Sequence, residues 1–202
     1  MHAFQWAAGG APEFAVPAPG RRLRSNPSGA LRPVIDPRAF WGTDWDRNPP
    51  LTSAMIVEIE SAFHLRLPAR YLELLRIQNG GYTRGFVFAT YQRTSWAEDH
   101  VPVSELAGIG PRISLPIGLH NLWNTEYMTR EWGLPPRQLL LAGDGHWWIS
   151  LNYRQRNDPE VWWLDTGVDE GLRLASSFDD FLSGLRPESD VDPERGVLRP
   201  AG

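Results

Sequence analysis

Glu98, Asp99 and His100 follow one another in the middle of the chain, and Asp144 and His146 stand close together further on. Carboxylates beside histidines serve both acid–base catalysis and metal coordination. Either use requires that the two groups converge in one pocket. No serine elbow, phosphate-binding loop or zinc-protease motif accompanies them, and turn formation alone explains an aspartate before a glycine. A small acid–base enzyme therefore stays one hypothesis, while we expect neither a metal nor another cofactor.

Aromatic side chains are the second group with a chemical use. The chain has ten tryptophans, and four of them form the doublets Trp147-Trp148 and Trp162-Trp163. The doublets fall on two predicted neighbouring strands, where successive side chains point to opposite faces of a sheet. One tryptophan of each pair should therefore lie in the core and the other on the opposite face. Trp148 and Trp163 are candidates for exposed partner anchors, and coverage by the helices or by the N-terminal segment is the alternative.

Two predicted helices precede these groups. Thr52 or Ser53 is suited to cap a helix in which apolar residues recur at helical spacing from Ile56 to Phe63. Pro68 suits the first turn of a second helix. Asn79-Gly80-Gly81 should end that helix, because glycine readily adopts a positive φ.

The signals then change to those of strands and end on a further helix. Asn124 to Trp132 is predicted to be a short helix, and Ser177 is suited to cap a last one that runs to Leu185. β-Prone runs between turn residues predict strands within Phe86 to Tyr91, Arg112 to Ile117, Gln138 to Ala142, Trp147 to Tyr153, Val161 to Asp165 and Leu172 to Ala175. Helices at both ends with strands between them indicate an α+β fold.

Charge and composition exclude several classes of partner. Residues 51–185 carry 16 acids and 11 arginines, and this net negative charge argues against a nucleic-acid binder, which needs a basic face. No apolar run approaches the ~20 residues of a membrane span, and residues 1–8 lack the pattern of a signal peptide. The chain has no cysteine, which excludes disulfides and thiolate metal sites. We expect a cytoplasmic protein with no nucleic-acid or membrane partner, whose acidic surface favours a basic protein partner.

Composition also divides the chain into three parts. Residues 1–37 are rich in Gly, Ala and Pro and lack periodicity, which predicts a flexible leader. Residues 186–202 contain three prolines and alternating charges, which predict a loose tail. The folded domain is therefore expected over residues 38–185.

Ordered motifs across this domain resemble the SUKH superfamily, the Smi/Knr-type domain. The resemblance begins with Leu67-Pro68, Tyr71-Leu72 and Asn79-Gly80-Gly81 and ends with Ile149 to Arg154 and Ser177-Phe178-Asp179-Asp180-Phe181. The segments between these two parts are similar to a bacterial branch of that superfamily and comprise Thr94 to His100, Gly108-Ile109-Gly110 and Glu131-Trp132-Gly133. The chain departs from that branch in having Gly143-Asp144-Gly145-His146 where a Ser-Ala-Gly-His element is common, and Asn152 where an aspartate is usual.

The resemblance implies N-terminal helices packed on a mainly antiparallel sheet, with a C-terminal helix. It also implies a non-enzymatic protein-binding module, because many bacterial members look like immunity proteins that neutralise toxin domains. The alternative is a regulatory or scaffold interaction protein of the Smi/Knr type. The candidate partner-binding residues are Trp96, Glu98, Asp99, His100, Asp144, His146, Trp148 and Trp163.

Overall fold

Helices lead the chain and two antiparallel sheets follow them. The computed structural model describes residues 35–44, 47–112 and 121–200. Its α-helices are α1 (Pro37–Phe40), α2 (Ser53–Phe63), α3 (Ala69–Ile77), α4 (Thr125–Trp132) and α5 (Phe178–Gly184). Its strands are β1 (Gly81–Ala89), β2 (His100–Leu106), β3 (Gln138–Gly143), β4 (Trp147–Asn152), β5 (Glu160–Asp165), β6 (Glu170–Ala175) and β7 (Leu185–Pro187). The predicted α+β class is confirmed.

Some predictions fall on residues outside these ranges. The leader was expected over residues 1–37, and residues 1–34 are outside the described part of the chain. The last residue of that range, Pro37, opens α1, whose Phe40 is fully buried. The strand predicted from Arg112 to Ile117 also lies outside, apart from Arg112 itself.

The predicted helix pair is present with the predicted caps. The Thr52 side chain accepts a hydrogen bond from Met55 N at 3.3 Å, which caps α2. The buried Glu60 carboxylate of α2 accepts from Leu67 N at 2.8 Å and pairs with Arg66, so it fixes the joint to α3. The chain leaves α3 through Gly80, whose φ of 91° favours glycine.

Asn79 ties the end of α3 to a distant loop. Its side chain accepts a hydrogen bond from Ile109 N and donates to the carbonyls of Pro49 and Ile109, all at 2.8–2.9 Å. A Cβ on Gly80 would lie 2.5 Å from Gly108 N, which leaves room only for glycine there. The Asn-Gly pair is therefore a structural junction, in agreement with its expected role as a helix stop.

Two antiparallel sheets share the core. The first sheet has the strand order β2-β1-β7 and the second has the order β3-β4-β5-β6. They meet where Ala107 N donates to Leu141 O at 2.6 Å. The inner face of the second sheet joins the main core with α3 and α5, and Tyr71 of α3 donates to Ala107 O at 2.5 Å. Among the described residues, none of the helices has the length and apolar character that crossing a bilayer requires.

The outer face of the second sheet is covered by α4. Met128 of α4 and the following Leu134 pack there in a separate cluster with Leu140, Trp148 and Leu164. The inner face and the part of the outer face around Trp148 and Leu164 are therefore buried, whereas Arg173 of β6 stays exposed on the outer face.

The C-terminal segment differs from the expected loose tail. Leu185–Pro187 pairs with β1 as an edge strand. Further on, Val191 bridges to Leu198, and Leu198 N donates to the Asp99 carboxylate at 3.0 Å. The contacts with β1 and with Asp99 are long-range, so composition near the C-terminus could not reveal them.

Candidate functional site

The sheet tryptophans are buried, and this corrects the expectation that Trp148 and Trp163 are exposed anchors. Alternation does place the doublets as predicted, because Trp147 stacks on Trp163 at 4.9 Å on the inner face while Trp148 lies on the outer face. Trp148 is nevertheless 2% exposed and Trp163 0%. The helices cover both faces, so neither side chain is available to a partner.

Trp96 is exposed at the end of this sheet. Its ring is 51% exposed and stands edge-on to the buried Trp147, with 5.7 Å between ring centroids. The neighbouring Ser95 holds the loop against the sheet, because its hydroxyl donates to Asp165 at 2.6 Å and its N–H donates to Glu170 at 3.0 Å. Trp96 is thus held in place by its contact with Trp147 and by the hydrogen bonds of Ser95.

Trp132 occupies the corresponding position on the other side of the sheet. It is the last residue of α4, is 40% exposed, and lies 5.8 Å from Trp148 and 5.7 Å from His146 between ring centroids. Sequence reasoning did not select it as a site residue. Its position beside the helix-ending Gly133 was the available signal, since a residue there projects from the end of a helix.

A tight turn separates the two exposed tryptophans. The Asp144 side chain accepts hydrogen bonds from His146 N at 3.0 Å and from Trp147 N at 3.4 Å, which fixes the turn between β3 and β4. Asp144 and His146 are exposed, and His146 O accepts from Thr166 N of the β5–β6 turn at 3.0 Å. We call Trp96, Trp132, Asp144, His146 and the exposed Val168 of that second turn the tryptophan rim.

The tryptophan rim lies in acidic surroundings. The exposed carboxylates around it outnumber the exposed guanidinium groups, of which Arg93 pairs with Glu98 at 3.2 Å and Arg130 with Glu131 at 3.6 Å. The exposed charged residues on these loops and turns are Glu98, Glu131, Asp144, Asp169, Arg93 and Arg130. A basic surface is therefore the electrostatic complement of the rim.

A family comparison covers all of these elements. A model of the SMI1 / KNR4 family (SUKH-1) matches residues 50–184, which is two thirds of the 202 residues. The chain belongs to the SMI1/KNR4 family. No curated protein and no solved structure matches it. The tryptophan rim lies inside the matched range, whereas most of the ordered C-terminal segment of this SMI1/KNR4-family chain lies beyond it.

The Glu98-Asp99-His100 run is split by the fold of this SMI1/KNR4-family domain. His100 is buried and its Nδ1 lies 3.0 Å from Asp99 Oδ1, while Asp99 also accepts from Leu198 N. Glu98 points elsewhere, to the exposed Arg93. The structure therefore brings Asp99 and His100 together, and Asp99 also holds the C-terminal segment. His146 contacts Trp132 and not the Glu98-Asp99-His100 run.

The structure keeps the Glu98-Asp99-His100 run and the Asp144–His146 turn apart, since the two contact different neighbours. Within residues 35–44, 47–112 and 121–200, no three His, Asp or Glu side chains are arranged to hold a metal ion.

Burial raises the pKa of Tyr71 well above its ordinary value, with a further contribution from Tyr153. Burial likewise raises the pKa of Tyr153, and Glu60 and Asp158 add to the effect. Both tyrosines serve as hydrogen-bond donors in the core, since Tyr153 donates to Arg66 O at 2.7 Å.

Proposed function

We propose that this SMI1/KNR4-family domain is a non-enzymatic protein-binding module and that the tryptophan rim is its docking surface. The observation that carries the proposal is the pair of half-exposed tryptophans, Trp96 and Trp132, each seated on a buried tryptophan of the same sheet. Tryptophan is the residue most often found to dominate binding energy at interfaces.

The support beneath the rim reduces the entropic cost of binding. Trp96 packs on Trp147, and the loop that carries it is held by the hydrogen bonds of Ser95. Trp132 packs on both His146 and Trp148. Side chains that are already ordered lose little rotamer freedom when a partner binds, so more of the contact energy contributes to affinity.

A toxin domain with a basic surface is the partner we favour. The surplus of carboxylates around the rim complements a basic surface and would accelerate association at low ionic strength. The similarity to bacterial immunity proteins, set out from the sequence motifs, supports neutralisation of a toxin in the cytoplasm of the producing cell. Binding without neutralisation would favour the regulatory role instead.

Co-expression with a neighbouring toxin gene tests this proposal. The chain is produced together with any toxin-like C-terminal domain encoded beside its gene, and growth and the Kd of the purified pair are measured. Trp96→Ala and Trp132→Ala should each weaken binding by about 2 kcal/mol or more, which is about 30-fold in Kd, and should reduce protection. The control is Ile77→Ala at the end of α3, whose side chain is 49% exposed, close to the exposure of Trp96.

Three results would decide between the alternatives. Loss of protection in both tryptophan variants, with Ile77→Ala unchanged, supports the rim as the docking surface. Full protection by both variants would refute it. A partner that binds the wild-type chain at the rim and keeps its full activity would contradict neutralisation and favour a regulatory module.

A further inference from the structure

Three arginines lie together at the other end of the second sheet, and two of them bind one carboxylate. Arg156 and Arg173 both reach the same oxygen of Glu160, at 2.9 and 3.1 Å. The Arg154 guanidinium lies 5.5 Å over the Trp162 ring. We call Arg154, Arg156 and Arg173 the arginine patch. About half of the Arg156 side chain and 42% of the Arg173 side chain are exposed, so both have surface available to a ligand.

Strand register places the patch on the outer face of the sheet. Trp162 is paired with Ser150 on one side and with Arg173 on the other, and its indole N–H donates to Glu160 at 3.0 Å. The rim lies where β4 begins, at Trp147, whereas the patch adjoins the end of the strand at Asn152. The six residues of β4 span about 17 Å, so the two surfaces are separate.

Positive charge exceeds negative charge within the arginine patch itself. Among the described residues, the carboxylate that accepts hydrogen bonds from its three guanidinium groups is that of Glu160, which binds Arg156 and Arg173. Arg154 has no carboxylate partner in the described part of the chain, since its Nε donates to the neutral amide oxygen of Asn152 at 3.3 Å. Burial lowers the pKa of Arg154, and Glu160 only partly offsets this. A second anion would stabilise the guanidinium.

We propose that the arginine patch binds the carboxylate side chains of an acidic segment of a protein partner. Guanidinium groups match carboxylates in planar geometry and bind them with two parallel hydrogen bonds. A long polyanion such as nucleic acid is disfavoured, because residues 51–185 together carry five more acids than arginines. The proposal does not depend on the tryptophan rim or on the nature of its partner.

The test is a titration of the full-length chain with an acetylated, amidated hexaglutamate peptide, followed by two-dimensional ¹H–¹⁵N NMR. The Trp162 indole signal is the reporter, because that N–H donates to Glu160, and Trp162→Phe identifies it. We expect this signal to shift with the peptide and not with hexaglutamine. Arg173→Gln should weaken binding about fivefold or more, and Glu160→Gln should strengthen it by removing the competing carboxylate.

A matched control and three outcomes keep the test decisive. Arg130→Gln removes an arginine that is 70% exposed beside the rim and should leave the titration unchanged. The absence of any shift up to about 10 mM peptide would overturn the proposal. If inorganic phosphate shifts the Trp162 indole signal as much as the peptide does, the ligand is phosphate and not an acidic segment. If the signal shifts on dilution of the chain alone, the occupant is a second copy of the chain. The outcome of the toxin-protection assay with the Trp96 and Trp132 variants does not change how this titration is interpreted.

Discussion

Asn79→Ala is expected to destabilise the domain far more than its position in a turn would suggest. The Asn79 side chain makes three hydrogen bonds, to Pro49 O, Ile109 O and Ile109 N, at 2.8, 2.9 and 2.9 Å. Alanine removes all three and leaves the Ile109 N–H buried without an acceptor. At about 1 kcal/mol for each bond, the free energy of unfolding should fall by about 3 kcal/mol. The melting temperature should then fall by about 9 °C.

Urea unfolding followed by circular dichroism measures this change. With an m-value of about 2 kcal/mol/M, the midpoint should move by about 1.5 M. The control is Gln78→Ala, which removes one half-buried hydrogen bond to Gly80 O at 3.1 Å and should cost less than about 1 kcal/mol. A change in Asn79→Ala no larger than that of Gln78→Ala would refute the hydrogen-bond reasoning and leave Asn79 as a simple turn residue.

Two further predictions concern charged groups. Burial raises the pKa of Glu160, but hydrogen bonds from Trp162, Arg173 and Arg156 outweigh this effect and hold the pKa below its ordinary value of 4.5. The ionised carboxylate therefore stabilises the fold above pH 4.5, and this stabilisation is lost as the pH falls below that value. The destabilisation by Glu160→Gln in urea should therefore shrink between pH 6 and the acid range, unlike that of the exposed control Glu58→Gln, and a pH-independent difference would contradict this. Asp99→Ala removes the acceptor of the Leu198 N–H, so hydrogen exchange at the Leu198 amide should become about tenfold faster without a comparable change at core amides. An unchanged exchange rate at Leu198 would show that Asp99 does not hold the C-terminal segment.

Local signals in the sequence predicted most of the helices and strands. Thr52 as a cap, the joint before α3 and the stop at Asn79-Gly80-Gly81 depend on side chains and backbone within a few residues, and the structure confirms each of them. The β4–β5 hairpin was predicted from strand propensity and its turn residues, and its register is regular throughout. These are the features that a single sequence encodes most directly.

Features that depend on distant packing could not be predicted. Alternation predicted that one tryptophan of each doublet faces the core, but it carries no information about which elements cover the opposite face, and Trp148 and Trp163 are both buried. Glu98, Asp99 and His100 are adjacent in sequence, yet the chain bends at Glu98 and Asp99 before β2 begins, so Glu98 contacts Arg93 while Asp99 contacts His100. The pairing of β7 with β1 joins segments about 100 residues apart and has no local signal.

Coverage of both sheet faces explains where partner surfaces remain. Since α4 and the main core bury the broad faces of the second sheet, exposed aromatic and charged side chains are left at the two ends of its strands. Trp96 and Trp132 stay half exposed at one end among carboxylates, and Arg156 and Arg173 stay exposed at the other. One sheet therefore presents two surfaces of opposite charge, about 17 Å apart along β4. The two proposed surfaces are therefore compatible, because a partner docked on the tryptophan rim would leave the arginine patch free.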